Sequence, residues 1–203
     1  MKLLRVHLLC ALLALLPATV QARTLPALEG LEKLRQCFAT TQDFTAELTQ
    51  EKQLSVLRKK LVMKGTIRFK KPDRFLLVMA PPYSGTTLLK DNLLEQRLGQ
   101  GGELQRVVLP PDQGLRHWFS LLDKPLTRLP DGLKVRAELQ RGLYTVVVLP
   151  EGQGQMREIT IQFQEDGTMR RLVLEERNGD KTVMQFKNLR KNTGLHETDF
   201  RIN

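Results

Sequence analysis

Between Phe44 and Leu189 the chain keeps repeating one pattern: a short run of alternating apolar and polar residues, then a turn. The clearest run is Leu61–Lys70. There Leu61, Met63, Gly65, Ile67 and Phe69 fall on one face, and Lys64, Thr66, Arg68 and Lys70 on the other. A period of two over that length specifies a strand with one face on apolar material and one on water, which is how antiparallel sheets behave. Comparable runs occupy Phe44–Thr49, Phe75–Met79, Thr86–Lys90, Leu93–Leu98, Leu104–Leu109, Lys134–Gln140, Leu143–Leu149, Glu158–Phe163, Met169–Glu175 and Thr182–Leu189. Turn residues separate them: Pro81-Pro82, Asp91-Asn92, Gly99–Gly102, Arg141-Gly142, Asp166-Gly167 and Asn178-Gly179. Asn-Gly is the strongest of these, because a type I′ hairpin needs positive φ at both central residues. The reading is about ten strands joined mostly by hairpins in one large antiparallel sheet. No strand–helix–strand rhythm appears, which rules out a doubly wound nucleotide-binding fold.

Two segments carry helical spacing instead. Thr24 and Pro26 open the first, in which Leu28, Leu31, Leu34 and Cys37 recur three apart. In the second, Leu115, Trp118, Phe119 and Leu122 stand at i, i+3, i+4 and i+7. The expected class is therefore α+β, with two amphipathic helices over one sheet face. They act either as plain caps on the core or as a lid over a cavity. Cys37, on the apolar stripe of the first helix, reads as a core thiol.

The first residues obey different rules. Lys2 and Arg5 precede the apolar run Val6–Leu16, Pro17 breaks it, and Val20-Gln21-Ala22 resembles a signal-peptidase site. That run is too short for a bilayer core that needs about 20 helical residues. Residues 1–22 are expected to be a cleaved signal peptide and 23–203 a single domain in the periplasm of a Gram-negative bacterium. Only Cys37 then remains, so no intramolecular disulfide is expected.

The net charge of +10 usually suggests nucleic acid. Export and the scarcity of aromatics, 5% of residues, argue against a base-stacking surface. The remaining readings are a solvated basic face, or attraction to anionic headgroups or an acidic partner. Catalytic patterns are missing. Ser55, Ser84 and Ser120 lie in no nucleophile elbow, His117 and His196 have no metal-ligand spacing, and Glu175-Glu176 point to opposite strand faces. No enzyme, no cofactor and no metal are expected.

Taken in order, Gln42–Glu51 (QDFTAELTQE), Gly65–Phe69 (GTIRF) and Lys70–Phe75 (KKPDRF), followed by Pro81, Asp91-Asn92 and the ending Phe200-Arg201-Ile202, resemble the LolA family of periplasmic lipoprotein carriers. The resemblance implies an unclosed, strongly curved antiparallel sheet, a half-barrel whose open side is covered by helices. It implies a lipid-binding cavity lined by Phe44, Leu48, Met63, Ile67, Phe69, Phe75, Leu77 and Met79. It also implies a lid helix carrying Leu115, Trp118, Phe119 and Leu122, closed at the corner Lys71-Pro72. Where the family has arginine before that proline, this chain has Lys71, which lacks the bidentate fork. Leu93 and Leu94 replace aromatics, so the cargo is expected to differ from that of the principal carrier. The implied function is a monomeric carrier shielding the acyl chains of a lipoprotein or other lipid. It would move between an inner-membrane donor and an outer-membrane acceptor, with transient membrane contact. The other function considered is a lipid- or lipoprotein-sensing adaptor on the same fold.

Overall fold

The computed structural model describes residues 22–56, 58–99, 101–110, 114–116, 120, 124–152 and 154–202. They form one antiparallel sheet in the order β1-β8-β9-β10-β11-β12-β2-β3-β4-β5-β6-β7. The strands are β1 (Arg23–Leu25), β2 (Asp43–Leu54), β3 (Lys59–Lys70), β4 (Arg74–Met79), β5 (Gly85–Lys90), β6 (Leu93–Leu98) and β7 (Leu104–Val108). They continue with β8 (Leu133–Gln140), β9 (Leu143–Pro150), β10 (Met156–Gln164), β11 (Met169–Glu176) and β12 (Lys181–Lys191). The edges β1 and β7 do not meet, so the sheet is unclosed, and an open sheet of this size must twist and curl. The one helix with described boundaries, α1 (Ala27–Ala39), packs mainly on β8 and β9. The α+β half-barrel with helical cover is the observed architecture.

Almost every strand is paired to its neighbour in sequence, so hairpins dominate. The exceptions are β1 on β8 and β12 on β2, and the second of these joins the two ends of the chain at the middle of the sheet. Across it Phe186 stands opposite Leu48 and Met184 opposite Gln50. On the other side of β2, Phe44, Ala46 and Leu48 stand opposite Phe69, Ile67 and Gly65. Gly65 is required there, because a Cβ would lie 2.3 Å from the carbonyl oxygen of Val78.

Three expectations are corrected. The strands number twelve among the described residues, not about ten. Thr24 belongs to strand β1 rather than to the helix, which starts after Pro26 at Ala27. Asn178-Gly179 is not a type I′ turn: the connection runs over residues 177–180, and only Gly179 has positive φ. The type I′ signature falls at Arg141-Gly142, with φ 50° and 76° in a two-residue loop.

Both sheet faces are occupied, unequally. On the inner face α1 buries Leu34 with Leu25, Ala137, Tyr144, Val146, Val148 and Phe163. Gly30 permits this approach, since a Cβ there would sit 2.1 Å from that of Ala137. On the outer face the C-terminal segment seals Phe200 against Leu76 and Leu88. Asp43 anchors that segment, accepting hydrogen bonds from the Thr193 amide and hydroxyl (2.7 and 2.9 Å) and the Gly194 amide (3.0 Å). Burial alone would push the Asp43 carboxyl up, but these donors more than offset it and its pKa is lowered.

Candidate functional site

Strand alternation places Phe44, Leu48, Ile67, Phe69, Phe75, Leu77 and Met79 on the inner face, as the sequence pattern implied. The structure packs most of them into a second apolar cluster, distinct from the one under α1. Its buried members are Ala46, Leu48, Ile67 and Phe186. Around them Phe44, Phe75, Leu77, Met79, Met169, Leu172, Met184 and Leu189 are only half-buried. Phe69 is buried and meets Phe44 with ring centroids 5.3 Å apart. Met63 stands farther along β3, half-buried and opposite Gln50. The register thus brings together seven of the eight expected lining residues, with Met63 at the margin.

Besides Ala46 of β2, five members are absent from the expected lining set: Phe186, Met184, Met169, Leu172 and Leu189. They reach the cluster through the β12–β2 pairing and the neighbouring β11. Their alternation was visible in the sequence, but nothing local says that β12 lies beside β2. Methionine and leucine dominate this surface, which suits an adaptable rather than a shape-specific contact.

The enclosed space at the border between α1 and this cluster is small. It is lined by Leu34, Cys37, Phe38, Phe44, Phe163 and Met169 and measures about 20 Å³, room for about one water. Cys37 lies on it, and burial pushes its thiol pKa up, which disfavours the nucleophilic thiolate.

Of the expected lid, Leu115 is described and half-buried; Trp118, Phe119 and Leu122 lie outside the described residues. The corner at Lys71-Pro72 ties two segments together. Lys71 Nζ donates to the carbonyl of Ala39 (3.1 Å) at the end of α1, where helix carbonyls lack intrahelical partners. Next to it the buried Asp73 accepts from Arg74 Nη1 (2.6 Å) and Arg116 Nε (2.8 Å). The amides of Leu115 and Arg116 donate to the carbonyl and carboxylate of Asp91 (3.2 and 3.1 Å). Lys71 therefore holds α1, and Asp73 with Asp91 holds the start of the 115–122 segment. Glu32 of α1 reaches the far side of that segment, accepting from the Leu126 amide (3.0 Å) and from Arg35 (2.7 Å). The Arg35 hydrogen bond above all lowers the Glu32 pKa to about 2.

Among the described residues there is no group of three or more His, Cys, Asp or Glu that could hold a metal ion. No helix among them is long and apolar enough to cross a membrane.

Residues 116–203 match the family model described as outer membrane lipoprotein carrier protein LolA. Over that stretch the chain is similar to the LolA family. No curated protein matches the chain. Among solved structures, a DUF1329 family protein from Desulfovibrio piger is 14% identical, with 87% of this chain and 97% of that chain covered and a TM-score of 0.49. A LolA superfamily protein from Nitrosomonas europaea is 11% identical, with coverage of 88% and 98% and a TM-score of 0.46. MucB in the MucA/MucB complex of Pseudomonas aeruginosa is 15% identical, with coverage of 87% and 61% and a TM-score of 0.49.

Proposed function

We propose that the protein is a periplasmic carrier that shields the acyl chains of a lipoprotein or another lipid on its inner sheet face during transfer between membranes. The observation that carries this reading is the second apolar cluster. Its eight half-buried large side chains surround a buried centre. Large apolar side chains gain about 1.5–3 kcal/mol each from full burial, so leaving this many half-open on one face is costly unless something covers them. An acyl chain supplies such a cover, at about 0.8 kcal/mol per buried methylene. The surface is apolar and rich in Met and Leu, so its grip is non-directional, and cargo can leave for a comparable environment. The LolA model match over residues 116–203 supports the same reading. Export with loss of residues 1–22 is part of the proposal, as are a lid over the cavity, donor and acceptor membrane partners, and action as a monomer without catalysis.

Mass spectrometry of protein isolated from a periplasmic extract tests it, together with titration of the delipidated protein by a fluorescent fatty acid. The reading expects a co-purifying acylated species and saturable probe binding at one site. Protein that carries no lipid and takes up no probe would falsify it.

A further inference from the structure

On the other face of the same sheet, the cations of β12, β2 and β3 are arranged in rows. Arg190, Thr45 and Arg68 occupy one cross-strand row, and Lys187, Glu47 and Thr66 the next; Lys64 follows opposite Thr49. Paired strands lie about 4.8 Å apart, so Arg190 and Arg68 flank Thr45 with Cα atoms about 10 Å from each other. Both arginines are exposed, and the groove between them continues beneath the C-terminal segment. Its two stretches have volumes of about 660 and 460 Å³, walled by Asn188, Thr193, Leu195 and Asp199.

Elsewhere on this face cations meet carboxylates across the strands. Lys60 pairs with Glu51, Lys90 and Arg106 share Glu95, and Arg157 and Lys181 share Glu175. Among the described residues, Arg68, Arg190, Lys64 and Lys187 have no such partner. Glu47 is the nearest acid in the rows, and Asn188 Nδ2 holds it at 2.8 Å. The Asp199 carboxylate accepts from the His196 amide (2.7 Å), while its carbonyl accepts from Arg68 Nη1 (3.0 Å) and fixes that side chain in the groove wall. The groove thus holds two guanidinium groups with a hydroxyl between them, and the carboxylates in its wall, Glu47 and Asp199, are engaged by Asn188 and the His196 amide rather than in ion pairs with the arginines. Guanidinium pairs of this kind match the oxygens of a phosphate.

We propose that this groove binds the phosphate of an anionic lipid headgroup, held between Arg68 and Arg190 across Thr45. A lipid headgroup is favoured over free phosphate by two features. Lys187 and Lys64 extend the positive rows beyond the reach of one ion. The same face also exposes Val78, opposite Thr66, and Val62, two residues before Lys64, which suits an amphiphile at a membrane surface. The site lies on the face opposite the acyl-chain cluster and does not depend on it.

Flotation of the exported protein with phosphatidylglycerol-containing vesicles, against phosphatidylcholine alone, tests this at low and moderate salt. The double variant R68Q/R190Q should lower partitioning onto the anionic vesicles by about tenfold or more. The control K134Q/R136Q, which removes the same charge from β8, should change it by less than about threefold. Inorganic phosphate should displace the wild type more than chloride does at matched ionic strength. Where R68Q/R190Q fails to fold, Thr45→Glu supplies an internal carboxylate to both arginines and should abolish the binding. Equal losses in both double variants would reduce the effect to net charge and overturn the proposal. Phosphate binding without vesicle binding would overturn the headgroup. Fatty-acid probe uptake should be unchanged in all variants, which separates failure here from failure of the carrier reading.

Discussion

One sheet face carries two apolar clusters that differ in what covers them. Under α1, Tyr144 stacks on Phe163 with centroids 5.2 Å apart, Val146 is fully buried, and the helix closes over both. Across β11, β12, β2, β3 and β4 the strands alternate just as strictly, yet four members are buried against eight half-buried, where under α1 seven are buried against eight. Residue type does not separate the two regions, since both are built from aliphatic and aromatic side chains. Cover does. A half-covered apolar face contributes less to stability than a sealed one, and what it forgoes in folding remains available to a ligand.

The sharpest way to break this comparison is to make an equally drastic change in each cluster. Phe163→Ala removes a fully buried ring from the sealed region and should cost about 3–5 kcal/mol of stability, measured by urea denaturation. Phe75→Glu, in the half-open region, places a carboxylate against bound acyl chains, where an unpaired charge costs several kcal/mol. Probe affinity should fall more than about tenfold, equivalent to about 1.4 kcal/mol. Its stability cost should be smaller than that of Phe163→Ala, because water already reaches Phe75. If Phe75→Glu instead unfolds the protein, both clusters are ordinary core and the distinction collapses.

The seal itself is tested at Gly30. Alanine in a helix interior gains about 0.8–1.0 kcal/mol over glycine, but here its Cβ would collide with that of Ala137, 2.1 Å away. Overpacking of that sort costs about 1–3 kcal/mol, so Gly30→Ala should be destabilising by about 1 kcal/mol net. Adding Ala137→Gly should recover most of the loss, because it removes the opposing methyl group. Calorimetry on the single and double variants decides it.

Much of this was legible in the sequence, for a local reason. The alternation in Phe44–Thr49, Leu61–Phe69 and Phe75–Met79 sets side-chain parity within each strand, and that parity puts all eight expected lining residues on one face, Met63 at its margin. What stayed hidden depends on distant pairing. Phe186 and Met184 join the cluster only because β12 lies beside β2, and two such strands show no local sign of being neighbours. Strand β1 has three residues, too few to show a period, and Pro26 after it reads as a helix start. The C-terminal segment gives no regular spacing for Leu195, Phe200 and Ile202, yet it seals the outer face over Leu76 and Leu88. The Asp73–Arg116 tie joins the turn between β3 and β4 to the segment that the sequence shows as an amphipathic helix, and no local pattern shows that the two meet.

The smallest expected effect concerns the attachment of α1 and is driven by pH. Glu32 hydrogen-bonds Arg35 and the Leu126 amide, and its pKa falls from 4.5 to about 2. Because the folded value lies below the unfolded one, the unfolded chain takes up this proton first as pH falls. The stabilisation is complete above about pH 4.5, declines through the window down to about 2, and is gone below it. A hydrogen-bonded charged group of this kind contributes about 1–3 kcal/mol, and partial exposure to water keeps it near the lower end. Glu32→Gln should remove the pH dependence in that window while leaving stability at pH 7 lower by about 1 kcal/mol. Asp43, whose pKa is also lowered, titrates in acid as well, so the readout must be local. Hydrogen exchange should show the amides of α1 and of Leu126 losing protection in acid in the wild type and not further in Glu32→Gln. The amides of 193–195, held by Asp43, should loosen in both proteins alike. If α1 keeps its protection down to pH 2 in the wild type, Glu32 does not help hold the seal. The difference between the two clusters then rests on apolar packing against β8 and β9 alone.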